Sequence, residues 1–276
     1  MLEWQAAHDG VMREFLGFIG SDADLVLKGG TALMLCYGLD RFSEDLDFDA
    51  VRRDVSTIDL VRRFCKQQGY ELFVKKDTDT VQRCTVHYGG AKPLKIETSY
   101  RRSAISSREM DVVNGILTYK LPALALMKVG AYRDRERSRD LFDVTFIVNT
   151  YWDSLPDEVK DAYVYSLGAK GLEQFDAILD DIDELVDGDK LAGDFLSAYE
   201  RVGLLAGSET VYERDRPPSP GSPAATLSDP RPEKPAPSTP AKAPTPASDA
   251  KAFGAAARAR GGASSAPGGR SKGASL

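Results

Sequence analysis

The 276-residue sequence predicts an α+β fold, in which a mixed β-sheet flanked by helices is followed by a helical region and then by a disordered tail. Three observations predict it. Up to residue 119, short apolar runs, some alternating with polar residues at period two, are separated by glycine turns and helical stretches, the pattern of strands and helices around one core. Beyond Pro122 the apolar spacing turns helical and stays so to about Leu205. After Glu213 the composition changes: twelve of the fifteen prolines lie there, and from Asp215 to Leu276 the only aromatic residue is Phe253. Such a chain buries too little apolar surface to offset the entropy of ordering it. The expected organisation is an αβ core over residues 1–118, a helical region over 119–214 and a tail over 215–276.

The elements follow in order. Val11 to Ile19 has helical spacing and stops at Gly20. Leu25-Val26-Leu27 is a short strand ended by Gly29-Gly30, and Thr31 opens a second helix. In the segment from Phe42 to Ala50, Asp45, Asp47 and Asp49 alternate with Leu46 and Phe48, so a strand there puts the three acids on one face. Residues 55–68 form an amphipathic helix. Strands are expected near residues 70–75, 81–88 and 94–99, with Gly89-Gly90 turning between the last two, and a hairpin around Asn114-Gly115. In the helical half Ser138 is placed to cap a helix carrying Asp140 and Asp143. There is no internal repeat.

Charge divides the chain where composition does. Residues 1–214 carry 27 Lys or Arg against 38 Asp or Glu, and the tail carries 9 against 4. The acidity is concentrated in residues 153–200, with 14 acids and three lysines, so phosphate-bearing ligands are expected to be handled by the first 150 residues. Three widely spaced cysteines with no C-x-x-C pair argue against a disulfide framework or zinc site and fit a reducing cytosol. The polar start and the absence of any run of roughly 18 apolar residues argue against secretion and membrane insertion. With only His8 and His87, Ser-His-Asp hydrolysis and histidine-rich metal binding are poor fits.

What chemistry remains lies in the strand, glycine turn and helix at residues 25–37. Glycines let backbone approach an anion, and the first amides of the helix, with the Thr31 hydroxyl beside them, offer donors to it. Gly29, Gly30 and Thr31 are therefore candidate phosphate ligands, although such a turn with an N-cap threonine is also common in ordinary folds. Asp45 and Asp47 are candidate metal ligands, because two-metal nucleotidyl transfer needs two Mg²⁺ ions held by shared carboxylates, one activating the attacking hydroxyl and the other holding the triphosphate. Glu97 lies on a later strand, facing away from the core-directed Leu94 and Ile96, and is the candidate third carboxylate; a surface acid is the equally weighted alternative. Asp49 is read as an ordinary strand-end acid. Lys128 is either a triphosphate counter-charge or a solvated lysine. Asp140 and Asp143 also suit the positive end of a helix dipole.

Taken together, Lys28-Gly-Gly-Thr-Ala-Leu33, Arg41-Phe-Ser-Glu-Asp-Leu-Asp-Phe48, and Lys128 ahead of Arg139-Asp-Leu-Phe-Asp143 resemble the AbiEii/AbiGii toxin family. That family includes the mycobacterial MenT toxins and belongs to the DNA polymerase beta superfamily of nucleotidyltransferases. The resemblance covers about residues 20–150 and extends through the helical region to about 205. It implies a nucleotidyltransferase core in which Gly29, Gly30 and Thr31 bind the triphosphate of an NTP and Asp45 and Asp47 bind Mg²⁺. It also implies that Lys128 and Asp140 take part in catalysis, Lys128 contacting the nucleotide, and it puts Glu97 where the superfamily usually has its third carboxylate, often Asp. The implied protein is the toxin of a bacterial toxin–antitoxin pair, transferring a nucleotide to an RNA, with tRNA acceptor ends as one substrate class and a winged-helix antitoxin as partner. The Pro/Ala tail has no counterpart in that pattern. Transfer to a small molecule or a protein side chain, and a catalytically idle binding module, are the alternative readings; the paired aspartates argue against the last.

Overall fold

The structure, a computed structural model, describes residues 2–102, 105–179 and 182–205, all within one compact unit. The expected tail lies outside the described residues. The chain begins with helix α1 (Glu3–Ile19), strand β1 (Leu25–Lys28), α2 (Gly29–Tyr37), β2 (Asp45–Ala50), α3 (Thr57–Gln68), β3 (Glu71–Thr78), β4 (Val81–His87) and β5 (Leu94–Ser99). The hairpin β6 (Met110–Val113) and β7 (Ile116–Tyr119) follows, then α4 (Leu121–Asp134), α5 (Ser138–Tyr151), a 3₁₀ turn (Trp152–Ser154), α6 (Asp157–Lys170), α7 (Gln174–Leu179) and α8 (Gly188–Arg201). No helix among the described residues is long and apolar enough to cross a membrane.

The strands form one mixed sheet in the order β3-β4-β5-β2-β1-β7-β6, as the α+β reading expects. β2 is central, antiparallel to β1 and parallel to β5. Its alternation sorts the side chains: Leu46 and Phe48 are buried, whereas Asp45 and Asp47 remain half-exposed. Phe48 and Phe64 both meet Phe15 of α1 edge-to-face, with centroids 6.4 and 5.3 Å from it. Burying each such ring contributes about 1.5–3 kcal/mol. The β6–β7 turn places Asn114 and Gly115 at φ 53° and 79°, the left-handed pair a two-residue hairpin requires. One buried core continues past residue 118: Leu33, Phe48 and Tyr119 belong to the same apolar cluster as Leu124, Leu141 and Val148.

Two local expectations give way to tertiary contacts. α1 starts at Glu3, well before Val11, because His8 extends its buried face. Nδ1 of His8 lies 2.7 Å from Tyr88 Oη and Nε2 lies 2.7 Å from the Glu44 carbonyl, which satisfies a polar ring with no exposed surface. Ser138 does not cap α5. The cap position is Arg137, and the Ser138 hydroxyl instead accepts the Asp183 amide at 3.0 Å, tying α5 to the segment before α8.

Candidate active site

The site is built where β1 runs into α2 beside the start of β2. Gly29 sits at φ 80°, a conformation glycine adopts without steric cost, and a Cβ there would lie 3.5 Å from Asp47 Oδ2. Gly30 is packed more tightly. A Cβ on it would fall 2.8 Å from Ser43 Oγ and 2.9 Å from Arg41 Nη2, so only hydrogen fits between α2 and the strand's approach. Thr31 is buried, its hydroxyl bonded to the Asp45 carbonyl and 2.9 Å from Ser43 Oγ. That hydroxyl therefore points into the fold and not toward an anion over the turn. It pins the first turn of α2 to the first residue of β2.

Register brings the acids together. Asp47 pairs with Lys28 on one side and Glu97 on the other, and Asp45 pairs with Lys95. Three of the four carboxylates already have cations. Lys95 holds Asp45 at 2.8 Å, Arg83 holds Glu97 at 2.5 Å, and Lys28 holds Asp49 at 2.6 Å, with the Tyr119 hydroxyl donating to Asp49 at 2.8 Å. Asp47 has neither an ion pair nor a side-chain hydrogen bond among the described residues. Burial raises its carboxyl above the ordinary range; Lys95 and Lys28 draw it down while Asp45 and Glu97 push it up. Burial alone would raise Glu97 too, but the hydrogen bond and charge of Arg83, with Lys95 and Lys28 behind it, hold that carboxyl below its usual value. Among the described residues no three acidic, histidine or cysteine groups are drawn close enough to enclose one ion. The arrangement is a row on a sheet face, not a closed cage.

The helical half meets this row from behind the glycine turn. Arg41, 6% exposed, binds Asp143 through Nε and Nη2, both at 2.8 Å, and Lys128 donates to the same carboxylate. Asp143 is fully buried, so two cations share one buried negative charge. Asp140, also buried, grips Arg135 through two hydrogen bonds of 2.5 and 2.9 Å, leaving the guanidinium half-exposed. The acids Asp140, Asp143 and Asp47 all raise the affinity of Arg135 for its proton, which places Arg135 within electrostatic reach of the row. Lys128 and Asp140 thus approach the site through partners: Lys128 by way of Asp143 and Arg41, Asp140 by way of Arg135.

Sequence reading of single positions did not supply those partners. Lys28, Arg83, Lys95 and Arg135 attach to their acids through strand register and helix packing; Lys28 opens the glycine block, whereas nothing near Arg83, Lys95 or Arg135 in sequence marks them. Arg41 and Asp143 sit inside the recognised blocks, yet 102 positions separate them.

The family described as Nucleotidyl transferase AbiEii toxin, Type IV TA system, matches residues 11–209. A search of curated proteins gives no significant match. Among solved structures, JHP933 from Helicobacter pylori is similar at 28% identity and a TM-score of 0.60, covering 78% of this chain and all of that one. A putative nucleotidyltransferase from H. pylori is similar at 27% identity and a TM-score of 0.61, with the same coverage. MenT4, a nucleotidyltransferase toxin from Mycobacterium tuberculosis, aligns at 17% identity and a TM-score of 0.46 over 76% of this chain and 87% of that one. With a match over most of its length, the chain belongs to the AbiEii family of nucleotidyltransferase toxins of type IV toxin–antitoxin systems.

Proposed function

We propose that the protein transfers a nucleotide from an NTP to the 3′ hydroxyl of an RNA, with tRNA acceptor ends the favoured substrate, in a Mg²⁺-dependent reaction in the bacterial cytosol. The observation that carries this is Asp47: a half-buried carboxylate with no ion pair among the described residues, beside Asp45 and in register with Glu97, with Gly29 against it. Ionising it there is unfavourable until a positive charge arrives. Hard oxygen donors at Asp45 and Asp47 suit Mg²⁺, which when bound would offset charge on the reacting phosphate; Glu97 is the proposed third ligand, which would have to turn from Arg83 to reach the ion.

The remaining work falls to the chain itself. The amides of Gly30 and Thr31, at the start of α2, face the triphosphate as helix N-terminal donors. Arg41 and Lys128 place positive charge behind that turn, and Arg135, positioned by Asp140, extends it toward Asp47. The acceptor oxygen attacks the α-phosphorus in line, a new P–O bond forms, the bond to the bridging oxygen breaks and pyrophosphate leaves. The proton that the hydroxyl gives up passes to solvent water, because Arg83 keeps Glu97 ionised and weakly basic. Position and charge neutralisation supply the rate enhancement, with no covalent enzyme intermediate. By family membership the partner is an antitoxin, proposed to be of the winged-helix type.

The test is incubation with Mg²⁺, total bacterial RNA and each α-labelled NTP, alongside Asp45→Ala and Asp47→Ala. Label in RNA that disappears with either substitution is the expected result. Label retained at near wild-type rate in either variant would falsify the metal assignment, and label on protein or on a small molecule would replace RNA as acceptor.

A further inference from the structure

A cavity of about 470 Å³ opens at the end of the carboxylate row away from the glycine turn. Its sheet side is made by Lys28 and Asp49, with Arg102 alongside, and its other wall by Ala123, Leu126 and Met127 of α4. The three α4 residues share one helical stripe by their i, i+3, i+4 spacing. Leu126 is 44% exposed, an uncovered apolar side chain at a polar site. Across from this stripe stand two ion pairs, Lys28 with Asp49 and Arg102 with Glu109. Lys28 is steadied by Asp49, and Arg102 is held at 3.0 Å from the Tyr119 hydroxyl and 3.1 Å from Glu109, its guanidinium over the Tyr119 ring at 5.4 Å.

One apolar wall and one wall that offers both donors and acceptors suit a flat heterocycle with both kinds of group along its edge, and the volume falls in the range of small-ligand pockets. Position narrows the choice further. The glycine turn lies against Asp47 and Ser43, whereas the cavity lies at Asp49, about 7 Å further along β2 at the usual rise per residue. A nucleotide whose phosphates rest at the turn and whose reacting phosphorus rests at Asp45 and Asp47 therefore has its nucleoside within reach of this cavity, as does the terminal nucleoside of an acceptor entering from that side.

Resting on the nucleotidyl-transfer reading above, we propose that this cavity receives a nucleoside, its base lying on Leu126 and Met127 with its edge toward Arg102. The chemistry is shared by two sources, the incoming NTP and the acceptor's 3′ end, and kinetics separate them. Leu126→Ala, which removes the wall, and Leu126→Trp, which fills the space, are compared with wild type in two titrations: each NTP at saturating tRNA, and tRNA at saturating NTP. Tripolyphosphate, which carries no nucleoside, is run as inhibitor in parallel. Losing the apolar contact of Leu126 is expected to raise one KM about tenfold while tripolyphosphate inhibition stays unchanged. A change in KM for NTP assigns the cavity to the incoming nucleoside and relates it to nucleotide choice; a change in KM for tRNA assigns it to the acceptor. If wild type transfers label and both variants keep both KM values within twofold, the cavity assignment falls alone. If wild type transfers nothing, the underlying reading falls and the assignment with it.

Discussion

Replacing Asp143 by Asn removes the one negative charge that Arg41 and Lys128 share in the interior. The carboxylate has no exposed surface and takes two guanidinium hydrogen bonds of 2.8 Å as well as the Lys128 ammonium. Arg41 and Lys128 are themselves only 6% and 8% exposed, so neither can turn to water without moving a helix. Removing one partner of a buried ion pair costs about 3–5 kcal/mol, against a total stability of about 5–15 kcal/mol. For a unit of this size each kcal/mol lowers the melting temperature by about 2–4 °C, giving a fall of about 6–20 °C. Urea unfolding followed by far-ultraviolet circular dichroism should show the midpoint falling with the slope unchanged. Adding Lys128→Met to Asp143→Asn should recover part of the loss, since it removes one of the two stranded charges. The reasoning is refuted if Asp143→Asn unfolds within about 1 kcal/mol of wild type, or if the second substitution makes it worse.

Gly30→Ala forces a methyl within 3 Å of both Ser43 Oγ and Arg41 Nη2 and should reduce transfer at least tenfold, read as initial rate, by displacing the turn while circular dichroism stays native. Asp47→Asn should abolish transfer yet raise stability at neutral pH without metal. Because its folded carboxyl is raised, the cost of burying Asp47 is absent below the ordinary carboxylate range, grows as pH climbs above that range and is complete once pH passes the folded value. The gain over wild type in thermal unfolding should therefore vanish in acid, and added Mg²⁺ should stabilise wild type more than the variant. Truncation after Arg214 removes the Pro-rich tail and should leave transfer rate and its salt dependence unchanged; a flatter salt dependence would give the tail a part in RNA binding.

Where order is local, the sequence reveals it. The Asp45–Asp49 alternation, the Asn114-Gly115 turn and the amphipathic stretch that becomes α3 each carry their own periodicity or backbone demand, and each appears at the expected place. The buried His8 did not look like a core residue because imidazole is polar; its two partners come from residues 36 and 80 positions away. The same holds for the site. The acids are visible as a row, but their counter-charges are not, because Lys95 meets Asp45 and Arg83 meets Glu97 only after three strands, β2, β5 and β4, choose their neighbours. The direction of the Thr31 hydroxyl was equally out of reach, being decided by the Asp45 carbonyl at the start of the next strand.

Because side chains on β2 alternate, a slip of one residue against β1 and β5 would turn Asp45, Asp47 and Asp49 into the phenylalanine-lined interior and expose Leu46 and Phe48. The residues proposed for catalysis are thus also the residues that make misregistered sheets intolerable. For a toxin this ties potency to folding: a chain still sorting its strands carries neither the acid row nor a stable core, and both arrive with the same pairing event. Partly assembled protein then lacks the acid row proposed for catalysis, which forms only when the central strands have paired.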